Sequence, residues 1–199
     1  MNESVTKEIS LFTFLVIGYG LLYFLNNVLT DSLYVVPGAH LVHLPSGLKI
    51  FMVLVTGLTG SFAIAVVGFL WSSFYMFKEN YLLSFVLAVS SGLIPWISLW
   101  IFQKKFELHT DLSNLTWKKL LLLVLIFAVL NSTCLQLLVY VFGQSTDLLN
   151  GIWVMLLGDM TGIFIVIYIL RFILKALEII KSRSENNPLQ RKKYNSDSV

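Results

Sequence analysis

The stretch NGIWVMLLGDMTGIFIVIYIL, Asn150 to Leu170, decides what kind of molecule this chain is. A helix needs about 20 mostly apolar residues to cross a bilayer. This stretch supplies them, yet it holds Asp159 near its middle. On insertion scales a carboxylate at the bilayer centre costs about 2.5–3.5 kcal/mol, and each Leu, Ile, Phe or Val returns about 0.3–0.6. The run has enough of them to insert. Its carboxylate must still find a partner or a wet cavity. Gly158 and Gly162 flank it as a small-xxx-small pair, with Gly151 further up, a pattern that lets another helix approach closely. Asp159 borders that stripe and is expected to face protein. Its expected partners are Asn131, Ser132, Thr133 and Gln136 in the preceding apolar run, Ser90 and Ser91 before that, and Lys49. Two roles stay open for it: part of a ligand or proton site, or a strut, protonated or hydrogen-bonded, that fixes helix packing.

The rest of the chain repeats the apolar theme. Of its 199 residues, 57% are hydrophobic and 13% charged, with mean hydropathy +0.80. A soluble domain is roughly 45–50% apolar and about 25% charged, and could not hide this much apolar surface. The expected fold is an all-α polytopic membrane bundle in contact with the lipid bilayer. The net charge of +3 gives no nucleic-acid footprint, because the basic residues lie between apolar runs and in the tail. Cys134 is alone, so no intramolecular disulfide exists. The start, MNESVTKEIS, is a poor signal-peptide n-region, so the first apolar run is expected to be retained.

Spans are expected at 9–30, 46–58, 61–77, 81–102, 120–142 and 148–171. The residues DSLYVVPGAHLVHLP, 31–45, read as a loop or re-entrant segment because of their two prolines and a glycine. The run 46–77 is too long for one comfortable crossing, and Gly57 and Gly60 offer a turn, giving two short spans. A single tilted helix there, and five spans in all, is the alternative. Pro95 is expected to kink its span. Helix is expected to continue to about 182, with 183–199 a disordered cytoplasmic tail; residues 1–182 then form one domain. With six spans and both ends inside, all of the 14 Lys and Arg except Lys49 and Lys78 fall on the inner side, as the positive-inside rule asks. Both termini are therefore expected on the cytoplasmic side.

Other motifs are weak. His40 and His43 have a spacing that zinc accepts, but no further ligand is in view, so no metal or cofactor is expected. His109 reads as a solvated loop residue. Asn114 begins an Asn-Leu-Thr glycosylation pattern, discounted because it falls on the inner side. No phosphate loop, dinucleotide fingerprint or nucleophile motif is present, and an enzyme is not expected.

Two segments together carry a family resemblance. LPSGLKIFMVLVTG, Leu44 to Gly57, resembles the Pro-x-Gly-plus-apolar segment of the first class of bacterial membrane-associated sensor domains. WVMLLGDMTGIFIV, Trp153 to Val166, is similar to the segment that closes that domain. The resemblance covers about residues 10–175. It implies a membrane sensor of the kind fused to histidine kinases or cyclic-di-GMP enzymes, with Pro45, Gly47, Gly158, Asp159 and Gly162 as motif positions. The ligand that it implies is unassigned. Lys49 departs from the family, which is usually apolar there. Only a short tail follows the last span, so the expectation is a sensory module without its own output domain, acting through a membrane or cytoplasmic signalling partner. Ligand or polar-core candidates are Asp159, Asn131, Gln136 and Lys49; Pro45, Gly47, Gly158 and Gly162 are the helix-packing motif. A small transporter, or the substrate-capture subunit of one, is a second hypothesis, and a structural assembly protein a third.

Overall fold

The computed structural model describes residues 3–78, 80–109 and 112–185. Its elements are helix α1 (Glu3–Thr30), strands β1 (Tyr34–Val36) and β2 (Ala39–His40), then helices α2 (Leu44–Thr56), α3 (Leu58–Trp71), α4 (Tyr81–Phe106), α5 (Trp117–Val141) and α6 (Leu148–Glu185). A π-helical turn, Ser72–Met76, prolongs α3. Among the described residues, four helical stretches are long and apolar enough to cross a membrane: Ser4–Thr30, Leu58–Met76, Tyr81–Phe106 and Trp117–Val141. The 38 residues of α6, at about 1.5 Å each, exceed the ~30 Å hydrocarbon thickness.

Burial is inverted relative to a soluble protein. Asp159, Asn131, Ser46 and Ser132 are fully buried, whereas Phe14 is 73% and Tyr168 77% exposed. Water would punish both choices. Lipid rewards both, because an apolar exterior is solvated by acyl chains while polar groups must find each other inside. The chain is therefore a multi-pass membrane protein whose exterior meets the bilayer.

Three contacts set the directions of the first helices. Gly20 of α1 lies beside Val67 of α3, and Tyr23 lies 5.0 Å from Trp71, so α1 and α3 run parallel. Tyr23 also meets His43, at the start of α2, at 5.4 Å. The start of α2 and the end of α3 thus share one level, and the two helices form an antiparallel pair. Their turn is Gly57, with φ 58°, a left-handed conformation that L side chains avoid. Gly57 splits the run where the sequence reading put the break, but the two halves are unequal. α3 with its π turn makes a full crossing, while the 13 residues of α2 span only about 20 Å. α2 starts partway into the bundle and completes the crossing from there.

What lets α2 start so deep is the segment before it. Residues 34–40 form a two-stranded antiparallel hairpin turned at Pro37–Gly38, with φ 81° at Gly38. Pro at the first and Gly at the second central position is what a type II turn requires. Pro45 then occupies the first turn of α2, where its missing N–H is no loss. The backbone N–H of Leu44 is satisfied by Asn26 Oδ1 of α1 at 2.8 Å, and that of His43 by the Gly158 carbonyl of α6 at 3.0 Å. The expected loop or re-entrant segment is this hairpin, and it dips between α1 and α6.

The later helices agree closely with expectation. α4 is capped by Asn80, whose side chain accepts from Leu83 N at 3.1 Å, and runs through Pro95 to a left-handed Glu107. α5 is capped by Thr116. The hairpin and the α3–α4 and α5–α6 connections share one end of the bundle. The Gly57 turn, the α4–α5 loop and both described ends of the chain share the other. α6 continues beyond the expected span end at 171 to Glu185, close to the helix end expected at about 182; residues 183–185 of the expected disordered tail are therefore helical, and the rest of it, from residue 186, lies outside the described residues.

Candidate functional site

Three helices bring the polar core together. From α2 come Ser46 and Lys49, three residues apart and so on one face. From α5 come Asn131 and Gln136, and from α6 comes Asp159. Ser46 Oγ donates to Asp159 Oδ1 at 2.5 Å, and Asn131 Nδ2 donates to Asp159 Oδ2 at 2.6 Å. Both carboxylate oxygens thus accept from a neutral donor, the short geometry expected of charge-assisted bonds. Lys49 is 2% exposed, and its ammonium attracts the Asp159 carboxylate electrostatically.

Of the partners expected for Asp159, Asn131 is bonded, and Lys49, one turn after Ser46, makes no direct ion pair with it among the described residues. The others are elsewhere. Ser132 Oγ bonds the Val129 carbonyl of its own helix, and Thr133 is exposed. Gln136 Nε2 holds the hairpin turn, donating to the Pro37 carbonyl at 3.3 Å and towards Met155 Sδ at 3.7 Å. Ser46 was not among the expected partners. Its signal was present, since it lies between Pro45 and Gly47 and one turn before Lys49, but nothing local shows that this turn meets α6.

The glycine stripe of α6 receives something other than the expected second helix alone. A Cβ at Gly158 would collide with the His40 carbonyl oxygen, and one at Gly162 with that of His43. The stripe is a groove for extended backbone leaving the hairpin. Helix α2 enters it one turn later, where a Cβ on Gly47 would stand 2.6 Å from Val166 Cβ and 3.1 Å from the Gly162 carbonyl. Gly151 makes room for the Gln136 side chain.

Beside this cluster lies a cavity of about 60 Å³, whose lining includes Lys49, Ser72, Ser91, Gln136 and Leu87. Tyr23, Gly38, His43 and Met76 line both it and a wider vestibule of about 260 Å³ under the hairpin, walled by Asn26, His40, Trp71 and Tyr75. Aromatic contacts stiffen that wall, with Trp71 stacked on Tyr75 at 4.4 Å. Asp159 lines neither space. Ser72 Oγ and Gln136 Oε1 are buried without a hydrogen-bond partner among the described residues.

The histidines do other work. His40 Nδ1 lies 3.1 Å from the Thr30 carbonyl. That oxygen only accepts, so this nitrogen carries the proton. His43 packs its ring on Tyr23. Among the described residues no group of three or more His, Cys, Asp or Glu could hold a metal ion. Asn114 closes the α4–α5 loop, donating to the Glu107 carbonyl at 2.8 Å and accepting from His109 N at 2.9 Å.

A model of the MASE1 family matches residues 9–194, and both sequence segments and the whole polar cluster lie inside that match. No curated protein and no solved structure gives a match.

Proposed function

This chain belongs to the MASE1 family of membrane-associated sensor domains, and from that premise we propose that it senses a small molecule and passes the signal to a partner protein rather than catalysing a reaction. The observation that carries the reading is the three-helix knot of Ser46, Asn131 and Asp159 set beside a cavity that contains Lys49. A ligand that draws on Lys49 changes the balance of charge at Asp159, and with it the seating of α2 against α6. α6 is one continuous helix from that knot to Glu185. Its last part, from Arg171, is largely exposed and carries Phe172, Leu174, Leu177 and Ile180 on its surface. That extension, about 22 Å long at 1.5 Å per residue, is the proposed partner contact.

The proposed setting is a bacterial cytoplasmic membrane with both ends in the cytoplasm. Lys7, the Lys104–Lys105 and Lys118–Lys119 pairs, Arg171 and Lys175 belong to the end of the bundle that carries both described termini, which supports that orientation. The vestibule then opens outward.

The test is photo-cross-linking in cells from Ile173 or Leu177, with Phe14 on the lipid face as control. A signalling protein captured from the α6 positions and not from Phe14 supports the reading. Capture from neither, together with lost uptake of a solute when the chain is deleted, replaces it with the transport hypothesis.

A further inference from the structure

We propose that the cavity at Lys49 binds a short-chain monocarboxylate, with the carboxylate on Lys49 and Ser72 and the alkyl group against the Leu87–Leu135–Val139 wall. The inference rests on the sensor reading and names its ligand class.

Four observations carry it. Charge is first: the described lining of cavity and vestibule contains one formal cation, Lys49, and no acidic side chain. The nearby anion, Asp159, lies outside the lining and already has both oxygens occupied by Ser46 and Asn131. An anion therefore meets an attractive site, with no carboxylate in the wall to repel it.

Unsatisfied polarity is second. Ser72 Oγ is buried without a partner among the described residues, the residue being 5% exposed. Buried hydroxyls left unbonded cost free energy. A carboxylate accepting from Ser72 removes that cost at the hydroxyl.

Size is third. The cavity is small, about 60 Å³, with room for only a few water-sized groups. The head and chain of acetate, propionate or butyrate suit that space, while a longer chain has to reach into the vestibule.

Wall chemistry is fourth. Leu87, Ala88, Leu135, Val139 and Met155 surround the polar end. An inorganic oxyanion would have to give up hydration over its whole surface to enter such a wall, whereas a short alkyl carboxylate gives it up only at the head. The vestibule supplies a route in, and the two spaces share Tyr23 and His43.

The experiment uses the full chain in lipid nanodiscs and saturation-transfer NMR with acetate, propionate, butyrate and L-lactate, against octanoate, with nitrate and phosphate, which carry no observable protons, added as competitors. Expected is transfer to the short monocarboxylates, with affinity at least tenfold weaker in Lys49→Met and also in Ser72→Val. The second variant fills the cavity and keeps both buried charges, so it reads the site even where the first folds poorly. Absence of transfer to all four short acids overturns the proposal. So does binding unchanged in well-folded Ser72→Val, or loss of the carboxylate signal on adding nitrate or phosphate at equal concentration. Cross-linking from Leu177 is run alongside. Cross-links without carboxylate binding sink the ligand class and leave the sensor; carboxylate binding without any partner sinks the sensor and leaves the site.

Discussion

Asp159 and Lys49 are both buried, opposite in charge and without a direct ion pair among the described residues, so any coupling between them runs through space and is open to test against the cost of breaking a buried pair. Removing one partner of such a pair costs about 3–5 kcal/mol, while replacing both by apolar groups is often neutral. Asp159→Leu is therefore expected to lower the yield and thermal midpoint of the purified protein sharply, and adding Lys49→Met is expected to recover part of the loss. If the double variant is as unstable as Asp159→Leu alone, the two charges are not coupled. Asp159→Asn should be milder, because the Ser46 hydroxyl can rotate from donor to acceptor and meet the new amide. Interhelical hydrogen bonds in membranes average about 0.6 kcal/mol with a maximum near 1.7, so Ser46→Ala should fall in that range by thermal unfolding. At this scale the sequence made Asp159, Asn131 and Lys49 legible, because polar residues inside apolar runs stand out. Ser46 and Ser72 were not, because a serine inside a membrane helix is common and bonds its own backbone cheaply, as Ser98 does to the Ile94 carbonyl at 2.7 Å.

At the scale of elements, the fold depends on α6 having a surface without side chains where the hairpin leaves and α2 begins. Gly162→Ala would drive a methyl group into the His43 carbonyl, and Gly158→Ala into that of His40. Neither obstacle is the flexible end of a side chain. Overpacking of this kind costs about 1–3 kcal/mol, and both variants should lose thermal stability, whereas Gly18→Ala, with nothing within 4 Å, should be neutral or slightly stabilising in a helix. Equal behaviour of Gly18→Ala and Gly162→Ala would show that the α6 groove is not tightly occupied. Gly57→Ala meets no neighbour but keeps φ 58°, and the left-handed backbone alone should cost about 1–2 kcal/mol. The break at Gly57 was legible because glycine lies midway along a run too long to cross once. The hairpin was legible only as an interruption. Two strands this short, Tyr34–Val36 and Ala39–His40, are not stable alone and exist because α1, α5 and α6 hold them.

Across the whole molecule, the antiparallel α2–α3 pair replaces the single tilted helix of the five-span alternative, and six passes make a prediction for one residue. After Cys134 is replaced, a cysteine at Leu58 beside the α2–α3 turn should react with a membrane-impermeant maleimide from the same side as one at His109, and one at Gln144 from the opposite side. A Leu58→Cys variant that resists labelling from both sides would place the turn inside the bilayer and make α2 and α3 a re-entrant pair, with four full crossings. By itself the sequence determined that this is a helical bundle in lipid, where most of its helices lie, and that the acid of the last span turns inward. Hydropathy, span length and the cost of an unpaired charge are properties of single segments, and a bilayer reads segments one at a time. Only the tertiary structure decided that Ser46 and Asn131 clasp Asp159, that backbone fills the glycine groove, and that Lys49 looks into a cavity while Asp159 stays behind it. Those facts depend on residues 113 and 28 positions from Asp159, and no local pattern encodes which faces of three helices will meet.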